Sequence, residues 1–206
     1  MRSTALVLVA VGLLVTACST SVSGTATAGR AAGHAGPAAG LTPPPDSDQT
    51  FGAPEVATPL DTTKFQPDPC GTLTAAQQQA LGLHAKGVLD KSELGNICDW
   101  SPKWDTVYSM GFNLEFDPGT ALGLANAYQA AGPGAMRRLP DVHGQPAATE
   151  PSQNTDGSCT IYLGATDEIE YAVSVSIGKD EPDYPNPCPV AEKIADDATA
   201  TMKSGG

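Results

Sequence analysis

Five cysteines, three histidines and 23 acidic side chains carry whatever chemistry this 206-residue chain can do. His84 and His143 have no partner readable from the sequence, and His34 sits in a run of small residues that reads as solvated. The chain has no Gly-x-Ser-x-Gly nucleophile elbow, no glycine loop that would cradle a phosphate and no dinucleotide fingerprint. Carboxylates gather twice, as Asp167, Glu168 and Glu170 and again as Asp180, Glu181 and Asp183. A pair of carboxylates could move protons, or hold calcium through oxygen ligands. Neither cluster has EF-hand spacing, and such acidic runs are ordinarily a solvated surface. The reading therefore assigns no catalytic residue, no metal ligand and no cofactor, and expects a protein that is not an enzyme.

Cysteine usage points to location and staples instead. Val15-Thr16-Ala17-Cys18 resembles the bacterial lipobox, whose cysteine takes a diacylglycerol on its thiol and becomes residue one after cleavage. The remaining four are Cys70, Cys98, Cys159 and Cys188. An exported address makes disulfides the default reading, and no two of these have the close spacing of zinc ligands. Three pairings are open. Cys70–Cys98 with Cys159–Cys188 is favoured, because each such bridge would lock a terminal helix onto neighbouring strands.

Binding residues are few. Trp100 follows Cys98 and reads as core packed on a disulfide, whereas Trp104 at a strand-connecting turn could anchor a glycan, a lipid tail or a protein partner. Arg137-Arg138 is the one adjacent basic pair and could receive an anionic ligand or a partner's carboxylate. Tyr184, in the Pro-rich loop before the last helix, completes the candidates.

Charge narrows the partners. Lys+Arg is 11 against Asp+Glu 23, a formal net charge of -12, and removal of a leader would take away Arg2 as well. A nucleic-acid binder, or a binder of anionic lipid by charge alone, needs the opposite sign. Residues 1–17 read as a lipoprotein signal peptide: Arg2, an apolar run from Ala5 to Val15, then small residues. That run is shorter than the roughly 20 residues of a spanning helix. Two or three acyl chains on Cys18 would then hold the protein on the extracytoplasmic face of the cell membrane. Residues 18–64, rich in Ala, Gly, Pro and Thr, show no periodicity and read as a disordered tether.

Residues 65–206 read as one domain. Thr74 and Gln77 have the form of a capping box, and Gly82 ends the short helix they would start. Short strands follow near 85–89 and 96–100, then a long one over 106–116, whose Tyr108, Met110, Phe112, Leu114 and Phe116 share one face. After a helix over 120–130, Arg137-Arg138 falls in a loop, a weak strand covers 145–149, and two strong ones cover 158–165 and 170–177. A last helix runs from Pro189 to about Lys203, with Val190, Ile194, Ala198 and Met202 four residues apart. The expected fold is α+β: a mostly antiparallel sheet of five to six strands, with helices packed on one face and two disulfides.

Asp68-Pro69-Cys70, Cys98-Asp99-Trp100, Cys159-Thr160-Ile161 and Pro187-Cys188-Pro189-Val190-Ala191 together resemble an uncharacterised actinobacterial family of secreted lipoproteins. This is the domain of unknown function found in LprB/LprC-type mycobacterial lipoproteins, and the Cys18-Ser19-Thr20 start is similar to theirs. The resemblance implies an envelope location and a fold, and brings no catalytic residues with it. The expected function is a non-catalytic binding module for an apolar or amphiphilic envelope ligand, a lipid or a glycan. The alternative is an accessory subunit that binds a membrane protein, and a hydrolase stands behind both.

Overall fold

The computed structural model describes residues 49–83, 86–100, 110–155 and 157–206. The leader, Cys18, His34, His84, Trp104 and the Tyr108 end of the third strand lie outside the described residues. Among the described residues, no helix is long and apolar enough to cross a membrane.

Among the described residues, seven strands form one antiparallel sheet: β1 (Val88–Lys91), β2 (Asn96–Asp99), β3 (Met110–Asp117), β4 (Arg137–Val142), β5 (Gln145–Thr149), β6 (Ser158–Gly164) and β7 (Glu170–Ile177). Their order across the sheet is β1-β2-β3-β7-β6-β5-β4. The expectation of five to six strands is corrected by β4, a strand where a loop is expected around Arg137-Arg138. Pro140 and two adjacent arginines hide its alternation, and its register shifts between Leu139 and Val142. Proline is tolerated there because β4 is an edge, where one row of amides has no strand to meet. The first strand also begins later than expected, at Val88.

Alternation on the central strands decides which face becomes the core. Phe112, Leu114 and Phe116 of β3 pair with Val175, Val173 and Tyr171 of β7, and all six are almost fully buried. Against this face packs α3 (Cys188–Ser204), which presents Ala191, Ile194, Ala195, Ala198 and Met202 at helical spacing. Tyr171 and Thr199 meet hydroxyl to hydroxyl at 2.7 Å, so this buried phenol keeps a polar partner. The capping box forms as read: α1 (Ala75–Ala80) starts with Thr74 accepting from the Gln77 amide and Gln77 accepting from the Thr74 amide. Gln77 also donates to the Asp197 carbonyl at 2.9 Å, which ties α1 to α3.

The disulfides are Cys70–Cys98 and Cys159–Cys188, with sequence separations of 28 and 29. One fastens a short 3-10 turn, Pro69–Thr72, to β2; the other fastens the first residue of α3 to β6. Trp100 lies on the first bridge and stacks on Phe112 with ring centroids 4.6 Å apart. Gly87 must stay a glycine for this packing, since a Cβ there would meet the Cys98 sulfur at 2.5 Å and the indole at 2.8 Å.

Not all helices share one face, which is a second correction. Tyr171 points to α3, so its neighbour Glu170 points the other way. Asn126 of α2 (Leu124–Ala131) reaches Glu170 from that opposite side, and a Cβ on Gly164, the residue paired with Glu170, would lie 3.5 Å from Leu124. Thus α2 covers one end of the outer sheet face. The apolar pattern of residues 120–130 carries no sign of which face receives it.

The folded part also begins earlier than residue 65. Val56, Leu60 and Thr62 are buried, the Leu60 amide donates to the Ala165 carbonyl, and Gln145 donates to the Thr58 carbonyl. This strap passes Gly164 on the outer face at Val56 and joins the inner core at Leu60. Its scattered single apolar residues each find a prepared slot, a match that periodicity does not report.

Each bridge closes a loop of nearly thirty residues, which the chain-entropy account values at about 3–4 kcal/mol. Replacing Cys159 and Cys188 together by alanine should lower unfolding free energy by about that amount. An unchanged urea midpoint would show that α3 needs no staple.

Candidate functional site

Where β3 ends and β7 begins, two acids meet under a helix. Asp117 and Glu170 are register partners on the outer face, only 3% and 4% exposed. The Asn126 amide of α2 donates to Asp117 Oδ2 and to Glu170 Oε1, both at 2.9 Å. Asp117 Oδ1 accepts from the Gly119 amide at 2.8 Å, which shapes the turn leading to α2. The helix has no side-chain cap, because Gly123 stands at its N-cap with φ 51°. A Cβ at Gly123 would strike the Thr166 and Asp167 backbone at 2.6–2.8 Å, so the residue that lets α2 enter here cannot also cap it.

Electrostatics at this cluster are uncompensated. Glu170 Oε2 is buried without a hydrogen-bond partner. Burial raises the Glu170 pKa to about 7, helped by the Asp117 and Glu115 carboxylates and opposed by the Asn126 and Ala127 donors. Tyr162, on the same face of β6, is also raised, first by burial and then by Glu170, Glu150 and Glu115. The arrangement can hold a proton at neutral pH. Among the described residues, no group of three His, Cys, Asp or Glu side chains could hold a metal ion.

Residues singled out by sequence fare unevenly. Arg137 and Arg138 are neighbours on β4, so they point to opposite faces and cannot act as a pair on one anion. Arg138 instead meets Asp141 at 3.2 Å, an exposed contact of small energetic value. Tyr184 packs its ring over Gly157, whose amide donates to the Tyr184 carbonyl, and so serves the loop's shape. Trp104 lies outside the described residues. His143 does gain a partner, Asp196 Oδ1 at 3.0 Å from Nε2, while its carbonyl accepts from Lys203. Both contacts fasten the β4–β5 turn to α3.

Of the two acidic clusters read as solvated, one splits. Glu168 is exposed, Asp167 accepts from the Val56 amide at 3.0 Å, and Glu170 is buried. The lost signal is the pairing of Glu170 with Asp117, more than fifty residues upstream, which local pattern does not encode.

Outside this cluster an open cleft of about 350 Å³ lies between Pro67, Asn96, Phe116 and Pro118. The inner sheet face is filled, and the cleft between the strap and the start of α2 has a volume of about 80 Å³. Exposed large apolar side chains among the described residues are Phe51, Val88, Leu89 and Leu94, three of them on the β1–β2 hairpin. Asp90 Oδ1 there accepts from the Lys91 amide at 2.8 Å, which occupies one outward-facing donor of the edge strand. Asn126→Ala should cost about 2–3 kcal/mol in urea unfolding, because it leaves buried acceptors on both Asp117 and Glu170 without their donor. A loss below about 0.5 kcal/mol would show the clamp to be energetically idle.

No curated protein and no solved structure matches the chain. A family profile described as a protein of unknown function, DUF3558, matches residues 13–201, and the chain belongs to that family.

Proposed function

We propose that this family member is a lipid-anchored module of the cell envelope, held outside the membrane by acyl chains on Cys18, that works by binding another protein. The observation that carries the choice between partners is the filled inner sheet face: Phe112, Leu114, Ile161, Val173 and Ile194 occupy the space an apolar ligand would need. The β1–β2 hairpin supplies the complementary feature. Val88 and Leu89, neighbours on β1, put apolar side chains on the two faces of the hairpin, 63% and 49% exposed, and Leu94 in its turn is 44% exposed beside Glu93, with Lys91 in the same hairpin. Apolar side chains flanked by both charge signs suit a protein surface better than a lipid head or a sugar. Contact through these side chains, rather than strand addition, is the mode favoured, because Asp90 already takes the Lys91 amide.

Anchoring rests on the lipobox-like Val15-Thr16-Ala17-Cys18 and on the likeness to LprB/LprC-type actinobacterial lipoproteins. The buried carboxyl pair offers no open face to a substrate, and the module is read as non-catalytic.

In cells making the full chain, a photo-crosslinking residue at position 88 or 94 should give a discrete protein adduct, and one at Glu168 should not. Adducts at neither position, with a lipid or glycan travelling with the protein in native mass spectrometry, would replace this reading with that of a carrier. Cys18→Ala should move the protein from the membrane fraction to the soluble one. Full retention would remove the lipid anchor.

A further inference from the structure

The clamp under α2 is built from two acids where one acid and one amide would hold the helix as well. A second acid adds a site that can lose a proton, and with it a way for solution pH to act on α2. We propose that the Asp117–Asn126–Glu170 cluster is a proton-operated latch: it docks α2 while Glu170 is neutral beside Asp117, and releases α2 with the strap over it, residues 53–60, when Glu170 ionises.

Three features support a latch over a fixed joint. The first is the unpartnered Glu170 Oε2, since a buried carboxylate with one oxygen lacking a donor is penalised far more than the neutral acid. The second is that, among the described residues, no cation is paired with the cluster. From β3, Asp117 and Glu115 act on Glu170, and both are acids. Tyr162 of β6 feels Glu170, Glu115 and Glu150 together, which places further negative charge over the same patch. Arg138 of β4 acts on Tyr128 of α2 but is itself exposed and engaged by Asp141. On the strap side the charged groups at the cleft are Glu55 and Asp167, acids again.

The third feature is how little else holds α2. It is eight residues long, has no side-chain cap, and is entered through Ala121 and Gly123, both at positive φ. Its buried side chains are Leu124, Ala125 and Ala127, so small apolar contacts and the Asn126 clamp do the docking. The strap leans on the same place. Val56 packs beside Leu124 over Gly164, and its amide is held by Asp167 in the turn that Gly123 touches. Release of α2 therefore uncovers Val56.

The direction in pH follows from the states. Docked, Glu170 keeps its proton up to about pH 7. Undocked and in water, it ionises at the usual carboxylate value near 4.5. Docking is strongest below that lower value, weakens as pH rises between the two, and changes no further above the upper one. The opening equilibrium should therefore grow on the order of tens of fold between about pH 5.5 and about pH 8.

Hydrogen exchange on the full chain at these two pH values, corrected for intrinsic rates, reads this directly. Amides of residues 124–131 and 53–60 should lose protection by tens of fold at the higher pH, while β6 and β7 keep theirs. Glu170→Gln should flatten the response, and Glu168→Gln should leave it intact. Equal protection of α2 at both values in the unaltered chain overturns the latch, as does a full pH response surviving in Glu170→Gln. Should Glu170→Gln fail to fold, carboxyl NMR of the unaltered chain decides: a Glu170 midpoint near 7 supports the latch, and one near the ordinary value overturns it.

Discussion

The eight-residue pairing of β3 with β7 is the seam on which the molecule depends. On one side lie β1 and β2, and on the other β6, β5 and β4. Each disulfide is confined to one side, since Cys70–Cys98 ends on β2 and Cys159–Cys188 joins β6 to α3. No covalent staple crosses the seam. It is held by backbone ladder bonds and by pairs such as Phe112 with Val175 and Phe116 with Tyr171, whose rings lie 5.8 Å apart. Helix α3 adds to this from below through Tyr171 and Thr199, and through the reach of Gln77 to Asp197. Unstapled at its centre, the sheet has to specify its own register.

Much of the fold was legible because it is written locally. The alternation of 110–116 and of 171–177, the capping box at Thr74 and the i+4 series of α3 are short-range signals, and each produced its element within a few residues. The sequential disulfide pairing followed from the same local order. What was not legible came from edges and from long-range meeting. Strand β4 is an edge carrying Pro140 and two arginines, so its pattern lacks the apolar half that marks a buried strand. The strap 49–64 folds by inserting single residues, Val56 and Leu60, between elements already formed. A composition of Ala, Pro and Thr reads as tether whether or not such slots exist.

The candidate site was hidden for the same reason. Glu170 looked like one of three acids around a turn, and Asp117 like the start of an Asp-Pro-Gly turn. Their chemistry exists only once β3 and β7 pair and α2 lays Asn126 across them. Arg137 and Arg138 erred in the other direction. Adjacency in sequence suggested a joint cation, but a strand turns neighbours to opposite faces, and the pair dissolves on folding.

A buried polar group at the end of the seam also answers the register question. A slip of one residue would turn every apolar side chain of β7 to the wrong face, and burial alone forbids it. A slip of two residues is different. It would set Phe112, Leu114 and Phe116 against other members of the series Tyr171, Val173, Val175 and Ile177, which are all apolar and differ mainly in volume. Apolar matching resists that slip only weakly. The slip would, however, carry Glu170 away from Asp117 and leave Asn126 able to reach only one of them. One buried carboxyl would then have no donor from α2, a penalty that rises steeply with burial. The cluster that makes α2 sensitive to protons thus also marks the one register in which its three members can meet.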